Sequence, residues 1–423
     1  MWHSKDKGRS LLISIQLLLS LHQSLSFTIS SRIPFTANSV RGLNMASEKL
    51  GQESTSSVMT LDEEVPSEEI LHSTWLSFLD SHSSDDCSHM FGYGDPSHKM
   101  SMLQRITARC IYDYKTKETD SAYLEQVQSE AETFQTENGA PLNLLDVIQN
   151  ESPKMALAAE FKRASPSKGN INLSLRADDQ ATQYWQAGAS IISVLTEYHW
   201  FKGSLDDLKD ARMATQTAAA ADESKRTRAA ILRKDFVINK VKILEALSHG
   251  ADTVLLIVAV LPKKKLLKEL IQICDDNNMV PLVEIHAKEE LEVAVEAGAK
   301  VIGVNNRNLH TFEMDMSNSD NTAKLLTDRQ WDFVHTDANA KHALCALSGM
   351  STKEDVHRYR QIGIGMVLIG ESLMRSTDPK LAIEGLCLDP QQYNNSKHII
   401  GGAYTKGLRR DDFERIRFML CGF

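Results

Sequence analysis

Between residues 154 and 390, short apolar runs alternate with helical segments eight times, and no other feature narrows the possible folds so far. The candidate strands are 156–161, 191–196, 229–232, 253–259, 280–285, 300–304, 343–347 and 366–369. They are apolar nearly throughout, which suits a parallel sheet with helices on its outer face. Glycines stand at the helix-to-strand joints, in Ala187-Gly188-Ala189, His249-Gly250-Ala251, Ala297-Gly298-Ala299 and Ile362-Gly363-Ile364. Each fits the left-handed residue that ends a helix. Eight such units close most naturally into a (β/α)8 TIM barrel, an α/β fold of about 250 residues whose active sites lie at the C-terminal strand ends. A doubly wound open sheet is the alternative, but no G-x-G-x-x-G follows the first strand.

The chain has 423 residues, so a barrel over 154–390 leaves long extensions. Residues 1–47 read as an address. Lys5, Lys7 and Arg9 precede an apolar stretch over 11–21, Ser24-Leu25-Ser26 has the small-x-small spacing of a secretory cleavage site, and no Asp or Glu lies between Lys7 and Ser47. The core is too short for a convincing membrane span. A signal-like core followed by Phe27 and a Ser- and Arg-rich tract resembles the bipartite presequences of algae with complex plastids, so a plastid is the expected location and ordinary secretion the alternative. Residues 48–99 read as a polar, largely disordered linker with local helix around 68–79. Residues 100–153 read as an N-terminal helical extension, with helical pattern from Met102 and a second amphipathic piece over 142–148. The role of the tail over 391–423 is not legible.

A net charge of −9 argues against a general nucleic-acid binder. No membrane association is expected once the presequence is removed. The six cysteines form no C-x-x-C pair and suggest neither a zinc site nor a disulfide framework.

Chemistry collects where the strands end. The first strand runs into Glu160 and Lys162, which, two residues apart, share a face. A lone Glu-x-Lys is usually a solvated ion pair. Here comparable groups recur: Lys234-Asp235-Phe236 after strand three, Glu284 at strand five, Asn305-Asn306-Arg307 at strand six, Ser348-Gly349 at strand seven and Gly370-Glu371 at strand eight. Barrel closure brings all of them to one mouth. Two lysines, an arginine and several carboxylates there suit an anionic small-molecule substrate handled by paired acid and base groups. Glycine turns after strands seven and eight match the phosphate cradle of such barrels.

These residues resemble indole-3-glycerol phosphate synthase of tryptophan biosynthesis. The matching pieces are A-E-F-K-R-A-S-P-S-K-G at 159–169, S-V-L-T-E at 193–197 followed by F-K-G-S at 201–204, L-R-K-D-F at 232–236, L-V-E-I-H at 282–286, I-G-V-N-N-R-N-L at 302–309, S-G-M at 348–350 and L-I-G-E-S at 368–372. The resemblance implies a barrel with a helical extension over its mouth, no metal and no organic cofactor. The implied substrate is 1-(2-carboxyphenylamino)-1-deoxyribulose 5-phosphate, with a phosphate and a carboxylate, and the products are indole-3-glycerol phosphate, carbon dioxide and water. By resemblance Lys234 is the general acid of ring closure. Glu160, Lys162 and Glu284 share the later proton transfers in an order left open, and Asn305 and Ser348 complete the catalytic set. Asn305 and Arg307 match positions that engage the anthranilate carboxylate, a task suited to the planar donors of Arg. Pro166, Phe201 and Phe236 are expected to line the apolar ring pocket, with ordinary packing as the alternative. Ser167, Gly349, Gly370 and Glu371 are expected to bind substrate too.

One position departs from the family. Glu-Ser-Gly is common at the end of strand seven, and here the acidic position is Leu347. The departure keeps open a catalytically weak relative that acts as a pathway scaffold. Another phosphate-handling barrel enzyme, such as phosphoribosylanthranilate isomerase, leaves the Glu160, Lys162, Lys234 and Glu284 set unexplained. The candidate protein partners are tryptophan-pathway enzymes. The tail is too short for a second barrel, and the Ala-rich connection over 205–228 reads as a surface elaboration.

Overall fold

The computed structural model describes residues 66–81, 99–152, 154–261, 264–333 and 340–386. The presequence expected over 1–47 and the tail over 391–423 lie outside the described residues. Eight parallel strands close on themselves, with β1 (Ala156–Phe161) bonded to both β2 (Ile191–Leu195) and β8 (Met366–Ile369). Between them run β3 (Ala230–Lys234), β4 (Thr253–Ile257), β5 (Leu282–Ile285), β6 (Val301–Asn305) and β7 (Ala343–Leu347). The fold is the (β/α)8 barrel, and strand side chains buried on both faces explain the unbroken apolar runs.

Several strand bounds shift by one or two residues from the sequence reading, and two of the shifts have a clear reason. β3 continues past residue 232 through Arg233 and Lys234, because its charged side chains have somewhere to go on either face. Lys234 opens into the barrel mouth while Arg233 is buried on the other side. The fourth strand stops at Ile257, and Val258–Val260 forms a 3-10 turn.

Helices α5 (Ala177–Ala187), α6 (Leu205–Ala220), α7 (Lys240–Ser248), α8 (Lys264–Asp276), α9 (Lys288–Ala297), α10 (Ser317–Asp328) and α11 (Lys353–Gln361) cover the strands. The short α12 (Glu371–Arg375) and α13 (Pro379–Leu386) follow β8. Gly188, Gly250, Gly298 and Gly363 all have positive φ at the helix-to-strand joints. The stretch expected to be a surface elaboration is instead mostly α6, a regular barrel helix that buries Leu208, Ala211, Arg212 and Thr215. Its alanines make a helix that can lie close to the sheet.

The extension supplies the first four helices in chain order, α1–α4, written N1 (Glu68–Ser81), N2 (Met102–Tyr114), N3 (Ser121–Asn138) and N4 (Leu144–Asn150). Ser101 caps N2 in a reciprocal box with Gln104, which fixes where that helix starts. N1 falls within the stretch read as linker. It buries Leu71, Trp75 and Leu79 in a cluster with Ala108 of N2. Burying such side chains is worth roughly 1.5–3 kcal/mol each, enough to order a short polar helix. N3 was not legible from its pattern because only Val127, Ala131 and Phe134 are buried among 18 residues.

N2 and N3 are held to the barrel by charge as well as by apolar contact. Glu245 of α7, almost wholly buried, accepts hydrogen bonds from Tyr114 at 2.5 Å, Tyr123 at 2.8 Å and Lys117 at 3.2 Å, all from the extension. Burial pushes its carboxyl up, but Arg233 and Lys117, with the Tyr114 hydroxyl, hold it down to about 2.

Candidate active site

The mouth of the barrel encloses a cavity of about 380 Å³ lined by strand ends, the loops that follow them and N2. Strand periodicity places its floor. Leu195, Leu255, Ile257, Leu347 and Leu368 point inward below the polar groups. Met102, Leu103 and Ile106 of N2 close it from above.

Glu160 and Lys162 meet at 2.6 Å, Nζ donating to Oε1. Burial pushes the Glu160 carboxyl up, but Lys162 and Lys234 beside it more than offset this and leave it below its ordinary value, so it is ionised at neutral pH. Gly370, at the end of β8, leaves room for this pair, since a Cβ there would press on Oε1 of Glu160 and force it to move.

Across the mouth, Lys234 Nζ stands 3.9 Å from Oε2 of Glu284. Oε1 of Glu284 accepts from Asn305 Nδ2 at 3.0 Å, whereas Oε2 is buried with no hydrogen-bond donor. An orphaned carboxylate oxygen in a buried setting is costly unless something else engages it. This one faces an ammonium across a gap. Asn305 is itself oriented, because its Oδ1 accepts the backbone N–H of Arg307 at 3.0 Å. The Arg307 guanidinium donates to the carbonyl of Phe312 at 3.3 Å and has no carboxylate partner among the described residues.

Phe201 and Phe236 form an aromatic wall, with ring centroids 6.3 Å apart and planes inclined by 42°. A buried carboxylate presents the first of them. Glu197 accepts the N–H groups of His199 at 2.8 Å, Trp200 at 2.7 Å and Phe201 at 3.0 Å. Burial raises the Glu197 carboxyl, and these three donors pull it back only in part. Pro166 and Ser167 lie in the tight antiparallel turn between Ala164–Ser165 and Gly169–Asn170.

At the ends of β7 and β8 the backbone turns sharply. Ser348 and Gly349 take φ of 67° and 87° in succession. A Cβ at Gly349 would strike the sulfur of Met316. Glu371 is flanked by Lys168 at 3.6 Å and Arg375 at 3.2 Å, so the three together carry one positive charge. Leu347 is buried against Gly303 of β6, where an added Cβ would press on its side chain.

All fourteen residues expected at a site line this one cavity: Glu160, Lys162, Lys234, Glu284, Asn305 and Ser348 with Pro166, Ser167, Phe201, Phe236, Arg307, Gly349, Gly370 and Glu371. Among the residues the structure adds are those of N2, Asp235, Phe312 and Arg375. Arg375 carried a signal, four residues after Glu371 and so on the same helix face. The apolar stripe of N2 was visible, but not the surface it would meet.

Against known proteins, residues 103–386 match the family described as Indole-3-glycerol phosphate synthase. The chain is 44% identical over 301 residues to the multifunctional tryptophan biosynthesis protein of Schizosaccharomyces pombe, covering 70% of this chain and 36% of that protein. It is 47% identical over 252 residues to the protein of the same description from Phanerodontia chrysosporium, covering 60% of this chain and 30% of that one. The chain therefore spans about a third of the length of these fungal relatives. It is 37% identical over 274 residues to the indole-3-glycerol phosphate synthase of Bacillus cereus, covering 65% of this chain and 95% of that protein.

Proposed function

Because the chain belongs to the indole-3-glycerol phosphate synthase family, we propose that it converts 1-(2-carboxyphenylamino)-1-deoxyribulose 5-phosphate into indole-3-glycerol phosphate, carbon dioxide and water, as a carboxy-lyase of tryptophan biosynthesis. The observation that carries this reading is the pair of Lys234 and the unsatisfied Oε2 of Glu284, 3.9 Å apart within one cavity. An acid and a base held apart in a buried mouth suit a reaction in which one oxygen must be protonated and a carbon-bound proton removed.

Ring closure begins when the aromatic carbon bearing the carboxylate attacks the ribulose carbonyl. Charge develops on the carbonyl oxygen, and Lys234 supplies the proton that makes it a hydroxyl. Loss of carbon dioxide returns the electron pair to the ring. The hydroxyl then departs as water with a second proton, and a base takes the remaining proton to leave the indole. Glu284, Lys162 and Glu160 are the groups proposed for these last transfers. Arg307, with no carboxylate partner among the described residues, is suited to the substrate carboxylate. Phe201, Phe236 and Pro166 hold the benzene ring. The turns at Ser348-Gly349 and Gly370, beside the net positive Lys168, Glu371 and Arg375 group, take the phosphate.

Incubating the purified chain with this substrate, and following indole-3-glycerol phosphate by its indole absorbance and fluorescence, tests the reading. Product formation is expected. Absence of product from a folded chain would instead favour a pathway scaffold, the reading to which Leu347 in place of an acidic residue lends weight.

The same reading extends to location and company. The signal-like core and acid-free tract of residues 1–47 support import into a plastid in two steps. A fluorescent protein fused behind these residues should reach the plastid, and Phe27→Ser should stop it after the first step. A reporter left in the cytosol would overturn this. The fungal relatives are described as multifunctional tryptophan biosynthesis proteins, and enzymes of that pathway are the partners proposed here.

A further inference from the structure

Lys234 and Phe236 both face the cavity, and the residue between them is tied to the barrel more tightly than either. The Asp235 carboxylate, 4% exposed, accepts five hydrogen bonds. Oδ2 takes Thr196 Oγ1 at 2.6 Å and two donors of Arg233, at 2.9 and 3.2 Å. Oδ1 takes the N–H of Phe236 at 2.7 Å and Lys242 Nζ at 3.0 Å.

The Thr196 contact joins the stub after β2 to the end of β3, while the others tie residue 235 to β3 itself, to the next residue and to α7. Thr196 also donates its own N–H to the carbonyl of Lys234 at 3.2 Å, so the stub after β2 grips residues 234 and 235 by both backbone and side chain. The N–H of Phe236 is held by the carboxylate next to it, and its carbonyl accepts from Cys110 Sγ of N2 at 3.3 Å. Lys242 bridges the same cysteine, at 3.1 Å, to Asp235. Segment 234–236 therefore cannot rotate without breaking buried charge-assisted bonds. Yet Asp235 is fully engaged by the protein, with no oxygen spare for a substrate.

We propose that Asp235, with Thr196 as its main neutral partner, is a positioning residue that fixes the direction of Lys234 toward the reacting oxygen and of Phe236 toward the ring. This rests on the synthase reading above and deepens it. A displaced catalytic group can cost about 10²-fold in rate at an unchanged binding affinity. Arg233 and Lys242 would be left facing a neutral group in Asp235→Asn, so that variant carries a risk to folding. Thr196→Val removes one donor to Asp235 and the acceptor that takes Arg233 Nε at 3.1 Å, but it leaves every charge and so carries less risk.

The test is a double-mutant cycle on the full chain, with steady-state kinetics and thermal melts for each variant. Asp235→Asn should lower kcat by about 10- to 100-fold and Thr196→Val by about 3- to 10-fold, each with KM changed less than about 3-fold. In a Lys234→Met background the same two changes should lower the residual kcat by less than about 2-fold, because the proton donor they aim is gone and only the aim of Phe236 at the ring is left. Equal losses in both backgrounds would overturn the proposal and leave a general structural role. A folded Thr196→Val with unaltered kcat would overturn Thr196 as the partner, and a folded Asp235→Asn with unaltered kcat would overturn the whole. If the unmutated chain makes no product, the synthase reading itself fails, and this role fails with it.

Discussion

Two residues decide whether the mouth works as read. Lys234→Ala should lower kcat by at least about 10²-fold with a smaller effect on substrate binding, since the contact strengthens as the carbonyl oxygen gains charge. Lys234→Arg should recover little, a guanidinium being a poor proton donor. Steady-state kinetics on both variants check this, and near-normal turnover in Lys234→Ala would exclude the assignment. Leu347 is the second. It sits buried on the cavity floor, paired in register with Asn305, so the mouth has an apolar side chain where the family resemblance leads one to expect an acid, while keeping Lys162, Lys234 and Arg307. Extra positive field binds phosphate and carboxylate in the ground state and does not by itself raise kcat. Leu347→Glu is expected to raise kcat or shift its pH profile, at a cost of up to several kcal/mol if the new charge stays unpaired. A folded variant with unchanged kcat, KM and pH profile would show the position to be silent. Chemistry at this scale was legible early, because a charged side chain ending an apolar strand has few reasons to be there. Orientation was not: nothing in L-V-E-I distinguishes a Glu284 with one oxygen bound to Asn305 from one with both free.

At the scale of elements, loops are set by carboxylates whose oxygens are taken up by the protein itself. Glu197 gathers three successive N–H groups and so presents Phe201, and Gly203 lets the chain pass directly under the carbonyl of Leu195. Glu197→Gln keeps the size but weakens acceptance, and losing about 1–1.5 kcal/mol of turn stability should raise KM by roughly tenfold with less effect on kcat. Unchanged KM in a kinetic assay would show that Phe201 is held by packing alone. The extension answers to pH through Glu245. Its carboxyl is held at about 2 in the folded chain against an ordinary value of 4.5. A depressed folded value means that the stabilisation is complete above about pH 4.5 and drains away as the pH falls toward 2. Melting temperature should therefore fall over that window, and Glu245→Gln should flatten part of the slope. The charges of this network fall at no recognisable spacing in sequence, as Lys117, Arg233 and Glu245 come from separate elements and meet only after folding. N3 was missed for a related reason, its three buried side chains being too few to mark a helix among polar neighbours.

For the molecule as a whole, the architecture was the most legible property. Eight apolar runs with glycine at the joints leave little other than a closed barrel, and closure alone then gathers strand ends far apart in sequence into one mouth. The roof over that mouth was legible as helix but not as roof, because amphipathicity says that a face is buried without saying against what. Arg233 shows what the roof implies. It reaches Asp235 behind the strand that presents Lys234, and also Tyr114 and Glu245, through which N2 and N3 are anchored. Lifting the extension would strip partners from buried charges that lie directly behind the strand that presents Lys234, so the two parts should lack independent lives. In native-state hydrogen exchange, the amides of N2 should open only together with those of β3, in one cooperative unit rather than as a lid that frays first. Early exchange in N2 with β3 still protected would show the opposite. If they open together, the cavity cannot be filled by shedding its roof, and any traffic must pass instead through the loops around the rim.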